Sequence, residues 1–256
     1  MVFTGKRVLI TGGIAGVGRM AAELFRSAGA TVAIHSPSRT EVDRAIQELG
    51  DERLVATTGD VATVAGCDAV VGAALARLGG LDVLVNSVES ASRARLMDVT
   101  EALWDRVMAA NLRSAMFCTK AALPALRATR GNVVMVASTA ALMAGPTDQL
   151  LFATSKAGLI GMSRNLAIEL APDRIRVNCV APGFIDTAET RAANHSTGGQ
   201  INRHIAASVP LGRFGTEREC ASAILYLASD AAGYCTGSIL VSDGGAYANA
   251  SWGTKS

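Results

Sequence analysis

The stretch LLFATSKAG, residues 150–158, sets a lysine, Lys156, among small and apolar side chains, with no other ionisable group for several positions on either side. A cation in such surroundings serves a cofactor or tunes a neighbouring acid. On a helix, the residue four positions earlier shares its face. That residue is Phe152, whose ring has no proton to transfer. A second stretch, TGGIAGVG at Thr11–Gly18, follows the apolar run VLI and opens a helical pattern near Arg19. Gly12, Gly16 and Gly18 let the backbone turn tightly, approach a pyrophosphate and pack helix against strand. The helix start offers free N–H groups and a positive dipole end. Together the two stretches point to dinucleotide binding beside a reaction site.

Short β-branched runs alternate with helical patterns along the chain. The expected strands are 7–10, 31–35, 54–57, 82–86, 132–137, 176–180 and 239–242, mostly continuous apolar runs of the kind covered on both faces. Thr40 is expected to open a helix in which Val42, Ala45, Ile46 and Leu49 share a face and Gly50 is the stop. Thr216 and Glu219 form a capping box before the helix over Ala221–Leu227. This pattern predicts an α/β fold: a Rossmann-like, doubly wound, seven-stranded parallel sheet with helices on both faces, in a single domain spanning 1–256. Residues 184–210, which include Arg191, Asn194, His195, Gly198, Gly199, Arg203 and His204, read as a long irregular lid over the substrate.

With 256 residues, half of them apolar, the chain can bury one large core. A formal net charge of +2 with 18% charged residues gives no basic field for nucleic acid and no acidic tail. The five cysteines have no paired spacing and no C-x-x-C, so they read as buried reduced thiols, and no metal site is expected. The N-terminus lacks the order of features of a signal peptide, and no run of about 18 apolar residues occurs. A small-molecule protein of the reducing cytoplasm is expected, with no membrane or nucleic-acid partner.

The spacing T-G-x-x-x-G-x-G resembles that of the short-chain dehydrogenase/reductase family. The resemblance continues through Asp60-Val61, Asn111 in NLRSAMFCTKAALP, Ser138, Lys156, Pro182-Gly183 with Thr187, PLGRF at 210–214 and SDGGA at 242–246. It implies a nicotinamide coenzyme held by Thr11, Gly12, Ile14, Gly16, Val17 and Gly18 on the pyrophosphate and adenosine side. Asp60 and Val61 would meet the adenine, and Asn86 would stand at the end of the fourth strand. Pro182, Gly183, Ile185 and Thr187 would hold the nicotinamide, and Lys156 its ribose. At the end of the second strand Ser36 stands where an acid would select NAD; Ser36, Ser38 and Arg39 suit the phosphate of NADP, although Ala15 lacks the charge that many NADP-preferring members carry. The expectation leans to NADP, with NAD as the alternative.

In the family a tyrosine four residues before the lysine exchanges the proton, a serine orients the substrate oxygen, and an asparagine helps to hold a water that links the lysine to solvent. Asn111, Ser138 and Lys156 match, with Thr139 as a rival hydroxyl; Phe152 replaces the tyrosine. The catalytic set is thus Asn111, Ser138, Phe152 and Lys156, in an impaired form, whether the phenylalanine is native or introduced. Ser138, Asp148, a water on Lys156, His195 and His204 are considered as substitute donors, and none is expected to replace the phenol fully. The turn NSVE at 86–89 departs from the family's two asparagines, alanine and glycine. Arg93, Arg95, Arg191 and Arg203 favour a polar or anionic substrate. Small residues on the helices over 114–126 and 153–170 favour a homotetramer. The expected function is alcohol–ketone interconversion. Dinucleotide binding without turnover, or a non-redox isomerase, dehydratase or cyclase on the same scaffold, is the alternative.

Overall fold

A computed structural model describes residues 1–145, 148–196 and 207–249. Seven strands, β1 (Arg7–Thr11), β2 (Thr31–Ser36), β3 (Leu54–Thr58), β4 (Val83–Asn86), β5 (Asn132–Val136), β6 (Arg176–Pro182) and β7 (Ile239–Ser242), form one sheet in the order β3-β2-β1-β4-β5-β6-β7. Every pairing is parallel. The strand order reverses between β1 and β4, so the two halves diverge there and leave a crevice at the carboxyl ends of the strands, where such sheets bind ligands.

Alternation within the apolar runs explains the two layers of helices. Val8, Ile10, Val32, Ile34, Val134 and Val136 feed one core; Leu9, Ala33, Val133 and Met135, their chain neighbours, feed the other. The first core is covered by α1 (Gly16–Ser27), α2 (Arg39–Leu49) and α8 (Glu217–Ala228). The second is covered by α3 (Val64–Leu78), α5 (Ser114–Thr129) and α6 (Leu150–Leu170). A shorter α4 (Glu101–Met108) runs through a π-helical turn at Ala109–Arg113 into α5.

Local signals account for most boundaries. Ser38 caps α2 and Gly50 ends it with φ 59°, so this helix starts a residue before the expected Thr40. Thr216 and Glu219 form the expected capping box of α8. The glycine loop enters its helix at Gly16, three residues before Arg19. One expectation is corrected: the region from Phe184 is not irregular throughout, because α7 spans Ala188–Ser196. Thr187 Oγ1 accepts the Thr190 N–H at 3.2 Å and starts this helix. Its polar composition carries no apolar stripe, which is why periodicity missed it. Asn194 falls in α7, whereas Gly198, Gly199, Arg203 and His204 lie outside the described residues.

Candidate active site

A cavity of about 790 Å³ opens at the carboxyl ends of the strands. Its floor near β1 is the glycine loop: Gly12, Ile14, Ala15, Gly16, Val17 and Gly18 line it. Gly12 sits at φ 71° with a would-be Cβ 2.9 Å from the Ser87 carbonyl oxygen, and a Cβ on Gly18 would run into the Gly12 carbonyl. Both positions therefore require glycine. Helix α1, with Ala15 at its N-cap, has no side-chain cap, unlike α2, α3, α4 and α8, which are capped by Ser38, Thr63, Thr100 and Thr216, and it has no acid in its first turn. Uncapped N–H groups facing a cavity fit an anionic pyrophosphate.

His35, unremarked in the sequence, braces this loop. It is 1% exposed, its Nδ1 accepts the Gly12 N–H at 3.3 Å, and its Nε2 lies 2.8 Å from the Gly59 carbonyl. That pair of partners defines a neutral ring protonated on Nε2. Burial lowers its pKa, against the raising effects of the Gly59 carbonyl and Asp60.

At the adenosine end, Ser36, Asp60 and Val61 line the cavity as expected positions, joined by Glu41. Ser36 Oγ donates to Glu41 Oε2 at 3.0 Å. The acid missing from the end of β2 is thus supplied from the first turn of α2, where sequence position gave no hint of it. Arg39 does not line the cavity; its Nε donates to Asp43 Oδ2 at 2.6 Å. Thr11 and Asn86 stand behind the wall. Thr11 Oγ1 donates to the Val85 carbonyl, and Asn86 Nδ2 donates to Thr119 Oγ1 at 3.1 Å. Asn86 Oδ1 is buried with no partner among the described residues.

The opposite wall brings together Ser138, Thr139, Phe152, Pro182, Gly183, Ile185 and Thr187. Ser138 accepts the Ala140 N–H at 3.2 Å and opens a single 3₁₀ turn, so both it and Thr139 reach the cavity. Gly183 lies against Asp243, where a Cβ would be 2.5 Å from that side chain. Thr187 Oγ1 lies 2.7 Å from Thr190 Oγ1.

Lys156 is fully buried, at 0% exposure. Its Nζ donates to the Val136 carbonyl at 2.9 Å, lies 3.2 Å from Glu89 Oε2 and sits 5.4 Å from the centre of the Phe152 ring. Phe152 therefore occupies the expected place beside the ammonium, and a carboxylate that the sequence marked only as a departure reaches the same nitrogen. Asn111, in the π turn, donates to Ser155 Oγ at 2.9 Å and to the Ser90 carbonyl at 3.1 Å, and accepts the Ser90 N–H at 2.6 Å. It clamps the loop that carries Glu89. Of the other donors considered, Asp148 is paired with Arg93 at 3.1 Å, and His195 is an exposed residue in the last turn of α7. Arg93 lines the cavity; Arg95 and Arg191 do not, and Arg191 pairs with Asp186 at 3.2 Å. Among the described residues no cluster could hold a metal ion.

Comparison with known proteins agrees with this geometry. The family model described as enoyl-(acyl carrier protein) reductase matches residues 13–247. The chain is 38% identical over 251 residues to a 3-oxoacyl-(acyl-carrier-protein) reductase from Thermotoga maritima, covering 96% of this chain and 99% of the relative. It is 37% identical to dehydrogenase/reductase SDR family member 4 from Oryctolagus cuniculus, covering 94% of this chain and 93% of that one. The crystal structure of a short-chain dehydrogenase/reductase family oxidoreductase from Burkholderia thailandensis superposes with a TM-score of 0.87 at 31% identity, covering 95% and 93%. The chain belongs to the short-chain dehydrogenase/reductase family, and its domain has the Rossmann-like fold of that family of oxidoreductases.

Proposed function

We propose that this chain is a nicotinamide-dependent oxidoreductase that interconverts a secondary alcohol and its ketone. The observation that carries this reading is the single cavity joining an uncapped glycine-loop helix start to Ser138, Phe152 and the buried Lys156 behind them. When bound, the coenzyme would supply or accept the hydride. The chain's own part is to hold and to exclude. Gly12, Ile14, Gly16, Val17 and Gly18 would cradle the pyrophosphate, and Asp60 and Val61 the adenine. Pro182, Gly183, Ile185 and Thr187 would hold the nicotinamide end, and Lys156 its ribose. Ser138 would orient the substrate oxygen. Phe152 keeps the shape of a phenol without its proton, a loss worth roughly 100- to 10,000-fold in rate where nothing replaces it.

Of the two coenzymes, the geometry at the end of β2 supports NAD over the NADP expected from sequence. Glu41 brings a carboxylate to Ser36, which suits two ribose hydroxyls and repels a 2′-phosphate, whereas Arg39 is turned to Asp43. Matched titrations with NADH and NADPH test this: NADH should bind at least tenfold more tightly, and Glu41→Ser should narrow the gap. Tighter NADPH binding would reverse the assignment.

Among the described residues Arg93 is the arginine that lines the cavity, and it would meet a polar or anionic substrate arm by exchanging its partner Asp148. The likeness to the 3-oxoacyl-(acyl-carrier-protein) reductase from Thermotoga maritima supports a ketone of that kind. The reading places the protein in the cytoplasm as a homotetramer, with residues around 184–210 as the substrate lid. A second reading, coenzyme binding without redox turnover or a non-redox reaction in the same pocket, rests on Phe152. Following nicotinamide absorbance with a panel of secondary alcohols and ketones, for the native chain and for Phe152→Tyr, separates the two. Turnover supports the first, and coenzyme binding with no turnover by either supports the second.

A further inference from the structure

Two departures from the family pattern meet at one nitrogen. Phe152 brings a ring without oxygen to within 5.4 Å of Lys156 Nζ, and Glu89, in place of a glycine, brings a carboxylate oxygen to within 3.2 Å of it. Neither is explained by packing alone. Lys156 is completely buried, while Glu89 is 47% exposed and lines the cavity. The carboxylate therefore bridges a buried cation and solvent. Its loop is held in register by Asn111, whose side chain takes both the Ser90 N–H and the Ser90 carbonyl. Among the described residues Lys156 on α6 pairs with Glu89 and the buried thiol of Cys220 on α8 feels its charge; Arg93, four residues along the chain, is paired with Asp148.

We propose that Glu89 carries the proton that the missing phenol would carry. The inference rests on the oxidoreductase reading above. In the oxidative direction the substrate O–H bond breaks and its proton passes to Glu89. The carbinol C–H bond breaks, its hydride leaves to the oxidised nicotinamide coenzyme, which is reduced, and the C=O bond forms. Glu89, half in solvent, then releases the proton to water. In the reverse direction the protonated carboxyl would give its proton to the carbonyl oxygen while the carbonyl carbon receives the hydride that a bound reduced coenzyme would supply. Lys156 orients the carboxylate and compensates its charge.

The test uses the 256-residue chain as it stands, Glu89→Gln, Phe152→Tyr and the double variant, with NAD⁺ and NADH as probes. The amide keeps the shape and an acceptor for Lys156, so the fold should survive. Calorimetry comes first. A carboxylate at this place attracts the positive nicotinamide ring of NAD⁺ more than the neutral ring of NADH. Glu89→Gln should bind NAD⁺ several-fold more weakly than the unsubstituted chain near neutral pH, while NADH binding changes less. Turnover with the alcohol and ketone panel follows. Glu89→Gln should lose roughly 100- to 10,000-fold in kcat together with the limb of the pH profile that it governs, and Phe152→Tyr in that background should restore much of the loss.

Two results overturn the proposal: Glu89→Gln retaining native turnover and its pH profile, or a native chain that binds coenzyme yet turns nothing over while Phe152→Tyr does. Failure of every form to bind either coenzyme overturns the oxidoreductase reading itself and this inference with it, a result distinct from the other two.

Discussion

Lys156 is the residue around which the site is organised, because an ammonium with no exposure needs both a hydrogen-bond acceptor and a counter-charge. Val136 and Glu89 supply them, and Asn111 fixes the loop that holds Glu89. Asn111→Ala should therefore cost about 1–3 kcal/mol by leaving the Ser90 amide unpaired, read as a lowered midpoint of urea unfolding; an unchanged midpoint would remove this role. Gly18→Ala should abolish coenzyme binding in a chain that still folds, because its Cβ would press on the Gly12 carbonyl. Retained affinity in that variant would mean that the loop does not hold the pyrophosphate in this way. At this scale the sequence was informative about which residues meet: Ser138, Phe152, Pro182 and Gly183 were legible through the family resemblance and share one cavity. Glu89 and Glu41 were not, because a carboxylate's destination depends on where its backbone turns, and no local pattern encodes the distance from a loop to a helix that follows the next strand.

Among the elements, β2 and the glycine loop are coupled through His35. Its neutral ring accepts the Gly12 N–H, and burial holds its folded pKa below the ordinary value. Unfolded, the imidazole takes a proton below about pH 6.5; folded, it resists. The unfolded state binds more protons in that range, so stability falls as pH drops through 6.5 and is fully present above it. Thermal unfolding across pH 5–8 should show this slope, and His35→Gln should flatten it. At the other side of the same core, Thr216→Ala should cost about 1 kcal/mol through loss of the capping box of α8; an unchanged Tm would show the cap to be redundant. Strand positions were readable because both faces of each strand are buried and the apolar runs are continuous, and Thr216 was readable because a capping box is a local signal. Helix α7 was not, since a short polar helix without an apolar stripe leaves no periodic signal and is started locally by Thr187.

For the molecule as a whole, one face of α6 is left to solvent: Thr154, Ala157, Gly161 and Ile168 are exposed, and nothing lies within 4 Å of a Cβ built on Gly161. Ile168 is 78% exposed and, on α5, Met116 is 41% exposed. A small-residue face of this kind suits close packing of helices between subunits, and the proposed homotetramer would bury it. Light scattering at micromolar concentration should give about four times the 26.3 kDa chain mass, and Gly161→Arg should reduce it. Among the described residues no helix is long and apolar enough to cross a membrane. The most direct test of the account remains calorimetric titration of the native chain with nicotinamide dinucleotides. The account predicts saturable heat at one coenzyme per chain, stronger for NADH than for NADPH and lost in Gly18→Ala; no heat from either, in oxidised or reduced form, would contradict it.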